Sequence, residues 1–216
     1  MKALLFGSVG TLAETSGLQR DCFNAAFVEH GLDWYWDEQL YKSLLTKAGG
    51  VTRIQSYARR VGRRVDAHAV HATKSEIFQR QLERGIPLRS GVAATIAKCH
   101  ADGVKLGLVT TTSSRNVQAI LAATGLSVRD FEVIVTDNDV NALKPAPDAF
   151  HVALHELGFD ASDAIAIEDN PDGYASACAA GLETLVFAGA YHEVSSFPPG
   201  ANIVHVLDLL ATKLAA

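Results

Sequence analysis

The chain has 216 residues, of which 48% are hydrophobic, 20% charged and 7% aromatic; this is globular composition and excludes a disordered or collagen-like chain. Lys and Arg number 19 against 24 Asp and Glu, a net charge of −5, which argues against nucleic acid as a partner. Cys22, Cys99 and Cys178 are scattered with no CxxC pair, which excludes a disulfide framework and a thiolate zinc site. They read as reduced, mostly buried thiols, Cys99 and Cys178 within the core, and a cytoplasmic setting is expected. The apolar start Met1–Phe6 stops at Gly7. It is too short for a signal sequence or a membrane span, so no membrane partner is expected.

In chain order, apolar runs predict strands over Lys2–Phe6, Val104–Val109, Glu132–Thr136, Ala164–Ile167 and Thr184–Phe187, with a weaker sixth at Ile203–Val206. Helical periodicity falls between them at Val92–Ala101, Arg115–Ala123, Pro147–Leu157 and Asp172–Ala180. Strands alternating with helices give a Rossmann-like α/β fold, a parallel sheet covered on both faces. From about Ser16 to Gly85 the pattern is helical only, over Asp21–His30, Glu38–Leu45, Thr52–Val61 and Ala67–Arg84. The expected organisation is a core of residues 1–15 and 87–216 with a helical cap, 16–86, inserted after the first strand.

Ligands of open α/β sheets bind outside the carboxyl ends of the strands. Those ends carry Gly7-Ser8-Val9-Gly10-Thr11, then Thr110 and Thr111, then Lys144-Pro145, then Glu168-Asp169-Asn170. Amides and the Ser8 hydroxyl in the first turn, the hydroxyls of Thr110 and Thr111, and the Lys144 ammonium can hold a phosphate. The Glu168–Asp169 pair can hold Mg²⁺ through oxygen.

These motifs resemble the haloacid dehalogenase (HAD) superfamily of phosphotransferases, in its capped branch with the β-phosphoglucomutases and CbbY-like sugar-phosphate phosphatases. The resemblance is carried by Leu106-Gly107-Leu108-Val109-Thr110, by Lys144-Pro145-Ala146-Pro147-Asp148 and by Glu168-Asp169-Asn170-Pro171-Asp172-Gly173. It implies a Mg²⁺-dependent hydrolase acting on small sugar phosphates, with the family's catalytic aspartates falling at positions 7 and 9. Here those positions hold Gly7 and Val9, which can supply neither nucleophile nor proton. Side chains alternate along a strand, so Ser8 is expected to face away from the pocket and not to replace the lost nucleophile.

The expectation is therefore a phosphatase-like pseudoenzyme, impaired in catalysis, that still binds phosphate or a small phosphorylated metabolite. Mg²⁺, implied by the resemblance, is expected to be weak or absent, because the Gly7 ligand is missing and only Asp169, Glu168 and the Val9 carbonyl remain. In the cap, Gln19 falls where relatives carry a substrate-facing His, and Arg53 lies in a segment like a substrate-contacting turn. Two alternatives stand beside this. One is an active phosphatase with an unrecognised nucleophile or a water activated near Asp169. The other is a protein-interaction module using the Trp34-Tyr35-Trp36 surface of the cap. His151 and His155 sit one helical turn apart without a third ligand and read as a solvated face.

Overall fold

A computed structural model of the chain describes residues 1–45 and 49–207. It divides into two compact units, Met1–Glu14 with Gly85–Ala216, and Thr15–Arg84.

The first unit is built on six parallel strands, β1 (Ala3–Phe6), β2 (Lys105–Val109), β3 (Val133–Val135), β4 (Ala164–Glu168), β5 (Glu183–Val186) and β6 (Asn202–Ile203), in the order β3-β2-β1-β4-β5-β6. β1 lies in the middle: Leu4 is level with Leu106 on one side and with Ile165 on the other. Alternation divides its side chains between the two faces. Leu4 and Phe6 join Leu108 and Ile167 on one face, under Val92, Ile96, Val117 and Leu121 of α6 (Val92–Asp102) and α7 (Ser114–Thr124). Ala3 and Leu5 join Val133 and Ala166 on the other, under Phe150, Ala153 and Ala177 of α8 (Asp148–Leu157) and α9 (Pro171–Ala179). Both faces are covered, so the strand reads as an unbroken apolar run, and each fully buried Leu or Phe contributes about 1.5–3 kcal/mol. Gly107 in β2 makes room for this packing, since a Cβ there would lie 2.6 Å from Leu5 Cδ2.

Three local expectations change. The sixth strand pairs at Asn202–Ile203 rather than over Ile203–Val206, because only this register reaches the short end of β5. The turn after β1 is not a bare loop but a single helical turn, α1 (Val9–Leu12). Cys178 is exposed and not in the core: α9 buries Gly173, Ser176 and Ala177, a three-and-four spacing that leaves residue 178 off the buried stripe.

The second unit holds α2 (Ser16–Glu29), α3 (Glu38–Leu44), α4 (Gly50–Arg60) and α5 (Ala67–Leu82). Asp37 and Asp66 start α3 and α5 by accepting hydrogen bonds from first-turn amides. Its centre is aromatic: Trp36 lies 5.0 Å from Phe23 and 4.7 Å from Phe27, and Trp34 lies 5.1 Å from Tyr57. Asn24 exchanges two hydrogen bonds with the Trp36 backbone. Trp34 and Trp36 are therefore buried, and only Tyr35, 70% exposed, faces solvent. The alternative of a three-residue aromatic docking surface does not hold, because alternate side chains of this extended segment turn inward. His151 and His155 are exposed, and among the described residues no cluster of three His, Cys, Asp or Glu side chains could hold a metal. No helix among them is long and apolar enough to cross a membrane.

Candidate functional site

The carboxyl ends of β1, β2 and β4 converge on a polar cluster. At β1 the chain turns at once into α1, with Ser8 as its extended N-cap. Ser8 Oγ accepts from Thr11 N at 3.2 Å and donates to Asp169 Oδ1 at 2.8 Å. This corrects the expected orientation of Ser8. Strand alternation ends at Gly7, and capping geometry rather than pleat directs the Ser8 side chain toward Asp169. Val9 begins the helical turn, its carbonyl bonded to Ala13 N. Gly10 leaves room for Asp169, since a Cβ there would overlap Asp169 Oδ2 in its present position. Asn170 fixes the next turn: its Oδ1 accepts from Gly173 N at 2.9 Å and its Nδ2 donates to Asp169 Oδ1 at 2.7 Å. Pro171 follows at the first helical position.

Glu168 and Lys144 lie beneath this cluster. Glu168 is fully buried, and Lys144 is 9% exposed. The ammonium donates to Glu168 Oε1 at 2.6 Å, to Val109 O at 2.8 Å and to Gly7 O. Three acceptors use all three N–H donors of a lysine, so Lys144 keeps none for a bound phosphate. Burial pushes the Glu168 carboxyl up to about 7, outweighing the pull of Lys144 in the other direction. Among the described residues its buried Oε2 has no hydrogen-bond partner. The carboxylate occupies space left by two glycines: a Cβ on Gly7 would overlap Oε1 and Cδ, and one on Gly173 would overlap Oε2.

Thr110 is buried with its hydroxyl accepting from Thr112 N at 3.2 Å, and Thr111 is half-buried beside it. Sequence reasoning passed over Arg89. Its guanidinium donates to Gly10 O, Phe187 O and Ala188 O at 2.9, 2.8 and 2.6 Å, and lies 3.5 Å from the Phe187 ring centroid. Its own N–H bonds Leu12 O at 2.8 Å. Burial lowers its pKa, opposed by the fields of Asp169 and Glu14. One side chain thus ties the turn after β1 to the loop after β5. Hydrogen bonds from a charged donor contribute about 1.5–3 kcal/mol each, with strong overlap. Arg89→Met is expected to lower stability in urea unfolding by about 2–3 kcal/mol.

Gln19 and Arg53 belong to the helical unit. Gln19 Oε1 accepts from Lys74 Nζ, which lies 4.9 Å from the ring centroids of both Phe23 and Phe78. Arg53 is half-buried, donates to Leu44 O at 2.9 Å and lies 5.6 Å from the Tyr41 ring centroid; burial lowers its pKa. Lys74, 5% exposed, was not singled out from the sequence, where an alternating Ala/His/Lys stretch gave no sign of burial.

The residues do not fit a tightly bound Mg²⁺. That ion takes near-octahedral oxygen ligation, usually through one or two carboxylates. Glu168 is committed to Lys144, Gly7 contributes no side chain, and Asp169 Oδ1 already accepts from Ser8 and Asn170.

The sequence and fold have clear relatives. The pattern of the haloacid dehalogenase-like hydrolases matches residues 6–187. A plasmid-encoded CbbY protein of Cupriavidus necator is 40% identical, over 94% of this chain and 84% of its own. The fold matches crystal structures of CbbY from Rhodobacter sphaeroides. A mutant in complex with xylulose-1,5-bisphosphate has a TM-score of 0.85 and 37% identity, covering 96% of this chain and 95% of its own. A complex with phosphate also has a TM-score of 0.85, with 35% identity, covering 97% and 96%. A match over this much of the chain, joined to a parallel sheet with its polar residues at the strand ends, makes this protein a member of the haloacid dehalogenase-like hydrolase family.

Proposed function

We propose that this chain is a phosphatase-like protein that binds small phosphorylated metabolites of the sugar-phosphate class and does not turn them over through an aspartyl-phosphate. One observation carries the reading: position 7 has no side chain, and the space one would take is filled by Glu168 paired with Lys144. Loss of a positioned nucleophile lowers rates by about 10⁴–10⁶-fold, and Val9 removes a general acid/base, worth about 10²–10⁴-fold. The CbbY complexes with phosphate and with a bisphosphorylated sugar support the ligand class. The phosphate would meet the backbone around Ser8–Gly10 and the hydroxyls of Thr110 and Thr111. Lys144 contributes through its field rather than a free N–H, and Mg²⁺ is held weakly or not at all. The helical unit, which carries Gln19 and Arg53, takes the role of a cap.

A second reading rests on the Ser8–Asp169 hydrogen bond, a hydroxyl within reach of a carboxylate base. Ser8 Oγ would attack phosphorus, pass its proton to Asp169, and expel the alcohol, which regains that proton; water would then release phosphate from the serine.

Calorimetry with inorganic phosphate and hydrolysis of a sugar-phosphate panel, on the native protein, Ser8→Ala and Asp169→Asn, test both. Saturable phosphate binding with turnover at background is expected. Absence of binding at millimolar phosphate overturns the first reading; turnover abolished in both variants establishes the second.

A further inference from the structure

Lys144 is buried with two backbone carbonyls and one carboxylate around it. The carboxylate comes from β4, yet it lies where a side chain just past the end of the neighbouring strand β1 would begin: a Cβ at Gly7 would overlap its Oε1 and Cδ and stand 2.8 Å from its Cγ. Gly173 opens the other side of the same space. A full-size side chain at position 7 and Glu168 in its present position therefore exclude each other.

We propose that Gly7 and Glu168 are a matched pair, in which Glu168 supplies from β4 the counter-ion that Lys144 would otherwise take from a carboxylate at position 7, so that the site is balanced without a divalent cation. One buried ammonium then faces one buried carboxylate. A second carboxylate at position 7 would set two anions against one cation and displace Glu168 toward Asp169, which is the condition that calls for a metal. This deepens the reading above, since it concerns the same site. Its test reads folding stability and cation response, so its failure is separable from a failure to bind phosphate.

The test is a double-mutant cycle of Gly7→Asp and Glu168→Ala, followed by urea unfolding in EDTA and in millimolar MgCl₂. Breaking a buried ion pair by removing one partner costs about 3–5 kcal/mol, so Glu168→Ala is expected to lower the folding constant roughly 150- to 4,000-fold. The double variant is expected to regain at least tenfold of that loss, because the new carboxylate enters the vacated space and meets Lys144. MgCl₂ is expected to raise the unfolding midpoint of Gly7→Asp and to leave that of the native protein unchanged. Additive effects of the two substitutions overturn the proposal, as does a saturable MgCl₂ stabilisation of the native protein equal to that of Gly7→Asp. Glu168→Gln keeps the shape and an acceptor while removing the charge, so it serves if Glu168→Ala does not fold. Its stability is expected to fall, and native-like stability overturns the pairing.

Discussion

Lys144→Met is expected to destabilise the α/β unit by about 3–5 kcal/mol in urea unfolding, a large part of a domain's total stability. The methylene stem can be replaced by Met with little change in packing against the Phe150 ring, whose centroid lies 4.5 Å from the ammonium. The loss comes from what remains. Glu168 stays fully buried without a cation, and the Gly7 and Val109 carbonyls lose a donor in a site with little access to water. Adding Glu168→Gln to Lys144→Met is expected to return a substantial part of the loss, because removing both charges of a buried pair is far less damaging than removing one. Equal stability of the native protein and Lys144→Met would show that the ammonium contributes no net stability to this site.

In the helical unit the largest effect is one of pH. Burial pulls the Lys74 ammonium down from 10.5 to about 8, with Cys22 opposing and Arg53 reinforcing the shift. The neighbouring His71 is also lowered by burial and by Lys74. A lowered lysine pKa means the folded state favours the neutral amine. Below about pH 8 the folded protein carries an ammonium that the unfolded chain holds more easily. Between about 8 and 10.5 the folded amine is neutral while the unfolded one remains charged, so this contribution to stability rises with pH by about 3 kcal/mol. Cys22, pushed up to about 11 by burial, acts in the opposite direction as the unfolded thiol ionises. The comparison is therefore between Cys22→Ala and Cys22→Ala/Lys74→Met, in which no thiol ionises at this site. The stability difference between them, measured by urea unfolding, is expected to move by about 3 kcal/mol in favour of the chain that keeps Lys74 from pH 7 to pH 10.5. A pH-invariant difference would place the ammonium in water.

The sheet was legible from sequence because its strands are buried on both faces. Ala3-Leu4-Leu5-Phe6 and Ala164-Ile165-Ala166-Ile167 are apolar at every position, a signal that does not depend on knowing which face is which. The polar residues at the ends of β1, β2 and β4 were legible for a similar reason, since each group follows directly on an apolar run. Their directions were not. Ser8 was assigned by strand alternation, but the chain had already left the strand for a helical cap. Glu168 and Asp169 look like one chemical pair, yet Glu168 belongs to β4 and is buried, while Asp169 lies one step beyond it and meets Ser8. Adjacent carboxylates on opposite sides of a strand end carry no mark of which one turns inward. Arg89 sat in a linker of unremarkable composition, and its three carbonyl partners lie 79, 98 and 99 residues away along the chain. Such convergence has no local pattern. Trp34 and Trp36 were grouped with Tyr35 by type, whereas exposure separates them.

The central place of β1 bears on how the chain folds as it is synthesised. Its neighbours, β2 and β4, begin at residues 105 and 164, so β1 is made well before both and is among the last strands to be enclosed. At roughly 5–20 residues per second, about 10–30 s separate emergence of Phe6 from emergence of the whole of β4. Until β2 emerges the apolar β1 has no strand to pair with, its other edge stays open until β4 follows, and the long sequence separations delay both pairings further. Residues 15–84 emerge in between, and their helices can pack on one another while β1 waits. The nascent protein thus carries a hydrophobic strand with an open edge that must avoid other chains until β4 arrives, and conditions that slow translation of residues 85–168 are expected to increase aggregation without altering the finished fold.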